Sequence, residues 1–133
     1  MTVLVLLLMV LLHIIDDFVL QLQSLSELKQ KKTWEGTPDM YKNDYLVALA
    51  IHGLSWSIMV HLPLIALQFL HGYKYGSVFI LISVLVNAAW HSRVDDMKAN
   101  KRTISLLTDQ VMHLIQIVVV WSLWIFWIFL FPG

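Results

Sequence analysis

The chain has 133 residues, 59% of them hydrophobic and only 14% charged, with no cysteine and a formal net charge of zero. With a mean hydropathy of +0.72, it is far from the roughly 45–50% apolar and 25% charged make-up of soluble domains, which argues against a soluble fold. Zero net charge gives no basis for nucleic-acid binding, and the lack of cysteine excludes disulfides and thiolate metal sites.

A spanning helix needs about 20 mostly apolar residues, and four segments qualify: about 2–22, 44–70, 76–97 and 104–131. The first has no basic leader and no small-residue cleavage site, and it runs straight into Asp16-Asp17, so it predicts a retained helix rather than a signal peptide. Between the first two helices lies a polar loop, 23–43, with Lys29, Lys31, Lys32 and a Gly36-Thr37-Pro38-Asp39 turn signal. Pro63 predicts a local bend in the second helix. The later connections are short, His71 to Tyr75 and Met97 to Thr103, and the last helix ends at Pro132-Gly133. The expected fold is all-α: an integral membrane four-helix up-down-up-down bundle, with 1–133 as one transmembrane domain.

Basic residues set the expected orientation. Lys29, Lys31, Lys32, Lys42, Arg93, Lys98, Lys101 and Arg102 fall on one side, against Lys74 alone on the other. This predicts a multi-pass protein of the bacterial inner membrane with both termini extracytoplasmic and the basic loops in the cytoplasm. Those loops also suit anionic lipid.

Polar groups stand where such helices least tolerate them. Met1 to Leu12 contain one polar side chain, Thr2, and then His13 and Asp17 follow. In hydrocarbon an ionisable group costs roughly 2.5–3.5 kcal/mol or more unless paired, ligated or hydrated. His13/Asp17 lie four residues apart on one helical face, and the spacing recurs as His91/Asp95 and, reversed, as Asp109/His113. In an alternating bundle these pairs and His52 all fall toward the cytoplasmic end, each histidine roughly 10–14 Å inside its helix end at about 1.5 Å per residue. One buried polar site is expected. His61 and His71 fall toward the opposite side and are left out of it.

Imidazole and carboxylate without thiolate is the ligand set of catalytic Zn²⁺ and of Mn or non-haem Fe. The candidate ligands are His13, Asp17, His52, His91, Asp95, Asp109 and His113, with His13, His91 and His113 foremost. Seven exceed the needs of one tetrahedral ion, so some orient the others or two metals bind. The catalytic candidates are Asp17, Asp95 and Asp109, any uncoordinated one serving as base, and Lys98, which with Arg93 suits an anion such as a lipid phosphate. Asp16 and Asp96 flank two of these aspartates and are expected to face headgroups or other helices, but which acid of each pair points inward stays open. Trp121, Trp124 and Trp127, three residues apart, suggest an interfacial belt or lipid-facing surface.

At these residues the chain resembles the domain-of-unknown-function 3307 family of small bacterial and phage membrane proteins. The family's three motifs read here as His13…Asp17-Phe18-Val19-Leu20-Gln21, His91…Asp95…Lys98 and Asp109-Gln110…His113, with Lys29 (or Lys31) and His52 as looser matches. The resemblance implies no established activity. A looser likeness, in carrying intramembrane His and Asp motifs, is to membrane-bound metal-dependent hydrolases.

The favoured expectation is metal-dependent hydrolysis of a membrane-associated, phosphorylated substrate. One alternative is a cation or proton conduit. Another is an interaction module for a host membrane protein, or a homo-oligomer, whose polar pairs serve only packing. A conduit needs polar groups across the bilayer, and beyond His113 there are chiefly Gln116, Ser122, Asn87, Ser83, Ser57 and His61. That thin path favours a one-sided site.

Overall fold

The computed structural model describes residues 2–132; Met1 and Gly133, and with Gly133 the expected final residue of the last turn, lie outside it. Four long helices, α1 (Thr2–Ile15), α3 (Asp44–His71), α4 (Gly76–Ala99) and α5 (Leu106–Leu130), are joined by a short helix α2 (Gln23–Leu28) and by turns. Among the described residues there is no strand. The long segments are each apolar and long enough to cross a bilayer, α1 together with the turn that follows it. The chain is a multi-pass membrane helical bundle.

Its burial pattern is that of a lipid-solvated fold. Val3, Leu7, Leu81, Leu85, Ile115 and Val119 are exposed, whereas His13, Asp16, His52, His91, Asp95, Asp109 and His113 are buried. In lipid an outward leucine costs nothing, and an ionisable group is held only where it meets partners inside. α3 packs most extensively on α4, and α1–α3, α4–α5 and α1–α5 contacts close a ring of neighbours. The α3–α4 approach is set by Gly53: a Cβ there would collide with the Ser92 hydroxyl and lie 2.6 Å from Ala88 O. Ser92 Oγ reaches Leu49 O across this contact at 2.9 Å. Small residues at such crossings let backbones come together, and here they bring His52 beside His91.

Three expectations need correction, and a fourth element is placed. α1 is α-helical only to Ile15 and continues as a π-helical turn, Asp16–Leu20. Pro63 lies inside α3, which runs from Asp44 to His71 and ends on left-handed Gly72 (φ 63°), whose N–H bonds Gln68 O at 2.8 Å. The 23–43 segment is a folded strap, α2 followed by two 3₁₀ turns at Lys31–Trp34 and Asp39–Tyr41. Trp124 is not lipid-facing: it is 1% exposed and packs with Val120, Ile80 and Leu64 at the end away from the strap. α5 turns one face inward through Asp109, His113, Gln116, Val120 and Trp124, and the three-residue tryptophan spacing crosses that face once.

Candidate metal centre

The strap end of the bundle gathers its polar groups from all four long helices. The π-helical turn explains how α1 supplies two adjacent acids. Successive residues of an α-helix point about 100° apart, but the widened turn directs both Asp16 and Asp17 toward α3. Asp16 accepts from Ser55 Oγ at 3.1 Å and lies 3.9 Å behind His52 Nδ1. Asp17 Oδ1 lies 3.5 Å from His52 Nε2. The other doubled acid behaves differently: Asp95 points inward, whereas Asp96 bonds Asn100 and Lys101 at the end of α4.

Asp95 is the hub. Its Oδ1 lies 3.8 Å from His91 Nε2 and 3.6 Å from His113 Nε2, and its Oδ2 lies 3.5 Å from His52 Nε2. Asp109 Oδ1 lies 3.4 Å from His113 Nε2. These separations are long for N–H···O bonds, which favour about 2.7–3.2 Å. They suit another geometry. A tetrahedral ion with bonds near 2.0–2.1 Å has ligand–ligand edges of roughly 3.3–3.4 Å. Two compact donor groups result, Asp17/His52/His91 and His91/Asp95/His113, sharing His91.

The hydrogen-bond ledger points the same way. Asp17 Oδ1, His52 Nε2, both ring nitrogens of His91, Asp109 Oδ1 and His113 Nε2 are buried without a hydrogen-bond partner. Buried polar atoms rarely go unsatisfied, and six of the nine orphaned atoms among the described residues belong to this cluster, the others being Gln68 Oε1, Trp124 Nε1 and Trp127 Nε1. His113 Nδ1 meets Gln116 Oε1 at 3.2 Å, and because that amide oxygen only accepts, Nδ1 carries the proton and Nε2 offers a lone pair. The Trp56 ring stacks on His91 at 4.3 Å, and His91 stacks on His113 at 4.1 Å, fixing both imidazole planes.

Charge gives a count. Buried Asp16, Asp17, Asp95 and Asp109 face two ammonium groups, Lys29 at 2.6 Å from Asp95 and Lys98 at 2.5 Å from Asp109. The cluster thus holds two more carboxylates than ammonium groups, an arrangement that suits a divalent cation. An uncompensated double charge at this depth is costly.

His13 stands apart. Trp56 Nε1 donates to its Nδ1 at 2.8 Å, and its Nε2 meets Gln110 Oε1 at 3.2 Å, so both nitrogens are engaged. The expected ligand set therefore changes in emphasis: His52 presents a free nitrogen where His13 does not. His61 is also buried, bonded to Ser57 O and Ser83 Oγ away from the cluster. Arg93 is exposed and lines a separate apolar cleft with Trp90 and Met97, so it does not join Lys98.

Three contributors were given no role in the site by the sequence reading. Trp56 lies one helical turn after His52, a spacing that could have suggested it. Gln110 donates to Asp17 at 3.3 Å and Asp109 at 3.1 Å while holding His13, and so ties α5 to α1. Lys29, from the strap, is only 4% exposed. Asn100 holds it in place by donating to Lys29 O at 3.1 Å and accepting from Lys31 N at 2.6 Å.

Residues 4–130, nearly the whole chain, match the family described as Protein of unknown function (DUF3307). The chain belongs to that family. No curated protein and no solved structure matches it. In this DUF3307 protein the three motifs noted in the sequence meet in space. Gln110 joins the first to the third, and Asp95 joins the second to both His113 and the strap.

Proposed function

We propose that this DUF3307 protein is a membrane metal-dependent hydrolase acting on a membrane-associated, phosphorylated substrate. The observation that carries the reading is the convergence of unpartnered His and Asp atoms into two compact donor groups, in a buried site where four carboxylates meet two ammonium groups. His91, Asp95 and His113 would hold a single divalent ion, Zn²⁺ first, with Mn or Fe as its rivals, and Asp17 and His52 form the neighbouring donor group through the shared His91. A metal of this kind supplies a hydroxide-like water near neutral pH. Asp17 and Asp109, each with a free Oδ1 at the edge of the donor set, are the proton acceptors. Trp56, Gln110 and Gln116 fix the tautomers and ring planes.

The eight-to-one basic asymmetry supports a site on the cytoplasmic side of a bacterial inner membrane, with extracytoplasmic termini. A reporter fused at the C-terminus and one inserted in the strap should give opposite signals, the strap reading as cytoplasmic.

A conduit has one observation in its favour. A hydrogen-bonded file runs from His113 through Gln116 to Asn87, with Ser83 and His61 beyond. It stops there, against the buried apolar side chains of Val60, Leu64, Ile80 and Trp124. A one-sided site accounts better for that seal.

The test is elemental analysis of protein purified gently in detergent and supplemented with Zn²⁺ or Mn²⁺. About one ion per chain is expected, lost in His91→Ala and His113→Ala. Metal content near zero in the folded wild-type protein would remove the basis of the hydrolase reading.

A further inference from the structure

A second cavity opens beside the cluster and differs from it in chemistry. It holds about 270 Å³ and is walled by Gln21, Ser26, Lys29 and Gln30 from the strap side and by Lys98 and Arg102 from the end of α4, with Asp95 at its floor. Its lining contains three cations, three amide or hydroxyl groups and one carboxylate, and that carboxylate is already bonded to Lys29.

The donors are left with capacity to spare. An ammonium group has three N–H donors. Lys29 spends one on Asp95 and Lys98 spends one on Asp109, each reaching from the cavity into the cluster. Arg102 makes no side-chain bond among the described residues and adds a fork that suits two oxygens of one anion. Its backbone is left-handed (φ 54°) in a turn closed by Thr103 N bonding Met97 O at 3.0 Å. The cavity is small by the standard of ligand sites, which run about 300–1,000 Å³. It suits a headgroup, not a whole lipid.

We propose that this pocket is the anion subsite of the centre, in which Lys29, Lys98 and Arg102 hold the phosphate group of the substrate directly above Asp95. The inference rests on the hydrolase reading for its placement but not for its chemistry, because the pocket's donors belong to the protein alone. Lys29 and Lys98 are then shared groups. Each neutralises a cluster carboxylate and offers its remaining N–H donors to the phosphate. Arg102 supplies the pocket's unpaired charge.

The experiment measures binding of inorganic phosphate to the purified full chain in neutral detergent, with metal content determined on the same samples. Wild-type protein should bind, and Arg102→Ala should weaken binding about tenfold or more while keeping its metal. Arg93→Ala removes an equal charge outside the pocket and should leave binding unchanged. Both residues are exposed, so folding is not at stake. Vesicles of phosphatidylcholine with and without phosphatidic acid separate the two sources of phosphate. Binding of the free ion, or of phosphatidic acid alone, each with the Arg102 dependence, supports the subsite. No binding by metal-loaded wild type to either probe, or equal weakening by Arg93→Ala and Arg102→Ala, overturns it. Wild-type protein that takes up no metal after supplementation, yet binds phosphate with the Arg102 dependence, would sink the hydrolase reading and leave the subsite standing.

Discussion

Nε1 of Trp56 donates to Nδ1 of His13 at 2.8 Å, so the proton of His13 sits on Nε2, where Gln110 Oε1 receives it at 3.2 Å. A histidine bonded in this way has no lone pair to give a metal. Its ring lies 5.8 Å from that of His113, close enough to support the centre without joining it.

His13→Ala and His113→Ala should therefore fail differently. Removing His13 strands the Trp56 N–H in the core, which costs about 1–3 kcal/mol of stability. It also loosens the centre by the roughly 10–100-fold typical of a lost supporting partner. Removing His113 deletes a donor atom and should abolish stoichiometric metal. Unfolding midpoints and metal content measured together on the two variants check this. Complete metal loss from His13→Ala at full folded yield would put His13 back among the ligands.

The Lys29–Asp95 pair predicts a non-additive result. The two side chains are 5% and 3% exposed at 2.6 Å. Breaking a buried pair from one side strands a charge, at a typical cost of 3–5 kcal/mol. Lys29→Met should destabilise by about that amount, and Lys29→Met combined with Asp95→Asn should recover much of it. Denaturant titration in detergent of both single variants and the double variant gives the coupling. Additive losses would mean that the two charges do not depend on each other.

These relationships divide by what a sequence can carry. The His/Asp pairs were legible because helical period fixes which residues share a face, and alternating helix direction fixes which ends meet. Asp109 and His113 needed nothing more. The bonds of His13 could not be read, because they depend on which neighbour takes each nitrogen, and Trp56 and Gln110 come from other helices. Lys29 was read as a loop charge and a loose motif match with no place in the site, since the strap's path over the cluster has no period to read. Trp124 was assigned to lipid because α5 is apolar on every side from Ile117 to Val120 and beyond. In a membrane helix hydrophobicity does not separate inside from outside. The π-helical turn at Asp16 had no marker in composition, yet it decides that both acids face α3.

Gly53 offers a test of the scaffold that leaves every polar group in place. An added methyl would meet Ala88 O at 2.6 Å and the Ser92 hydroxyl closer still. Backbone cannot yield as a flexible side chain can, so α3 and α4 must separate locally. Gly53→Ala should cost about 1–3 kcal/mol and weaken metal binding, because His52 and His91 flank the contact with ring centroids 5.0 Å apart. Gly72→Ala, with open space around it but a left-handed φ of 63°, should lower stability and leave metal affinity alone. Isothermal titration with Zn²⁺ on both variants distinguishes a geometric effect from general loosening. Equal affinity losses from the two substitutions would detach the centre from the α3–α4 spacing.

The last prediction sets His61 against His91. Both are buried completely, both lie in long helices, and both are surrounded by aromatic or polar side chains. They differ in what their nitrogens meet. His61 has Ser57 O at 2.7 Å and Ser83 Oγ at 2.9 Å, so neither nitrogen is left over. His91 has no hydrogen-bond partner on either nitrogen. His61→Ala should thus lower stability, through a cavity and the loss of its two hydrogen bonds, while the folded fraction keeps its full metal content. His91→Ala should lose the metal, and although the cavity it leaves between Trp56 and His113 also lowers its stability, its melting temperature should no longer respond to chelator. The comparison is made at equal folded yield, by elemental analysis and by melting with and without chelator. If chelation lowers the melting temperature of His91→Ala as much as that of wild type, the bound ion lies elsewhere.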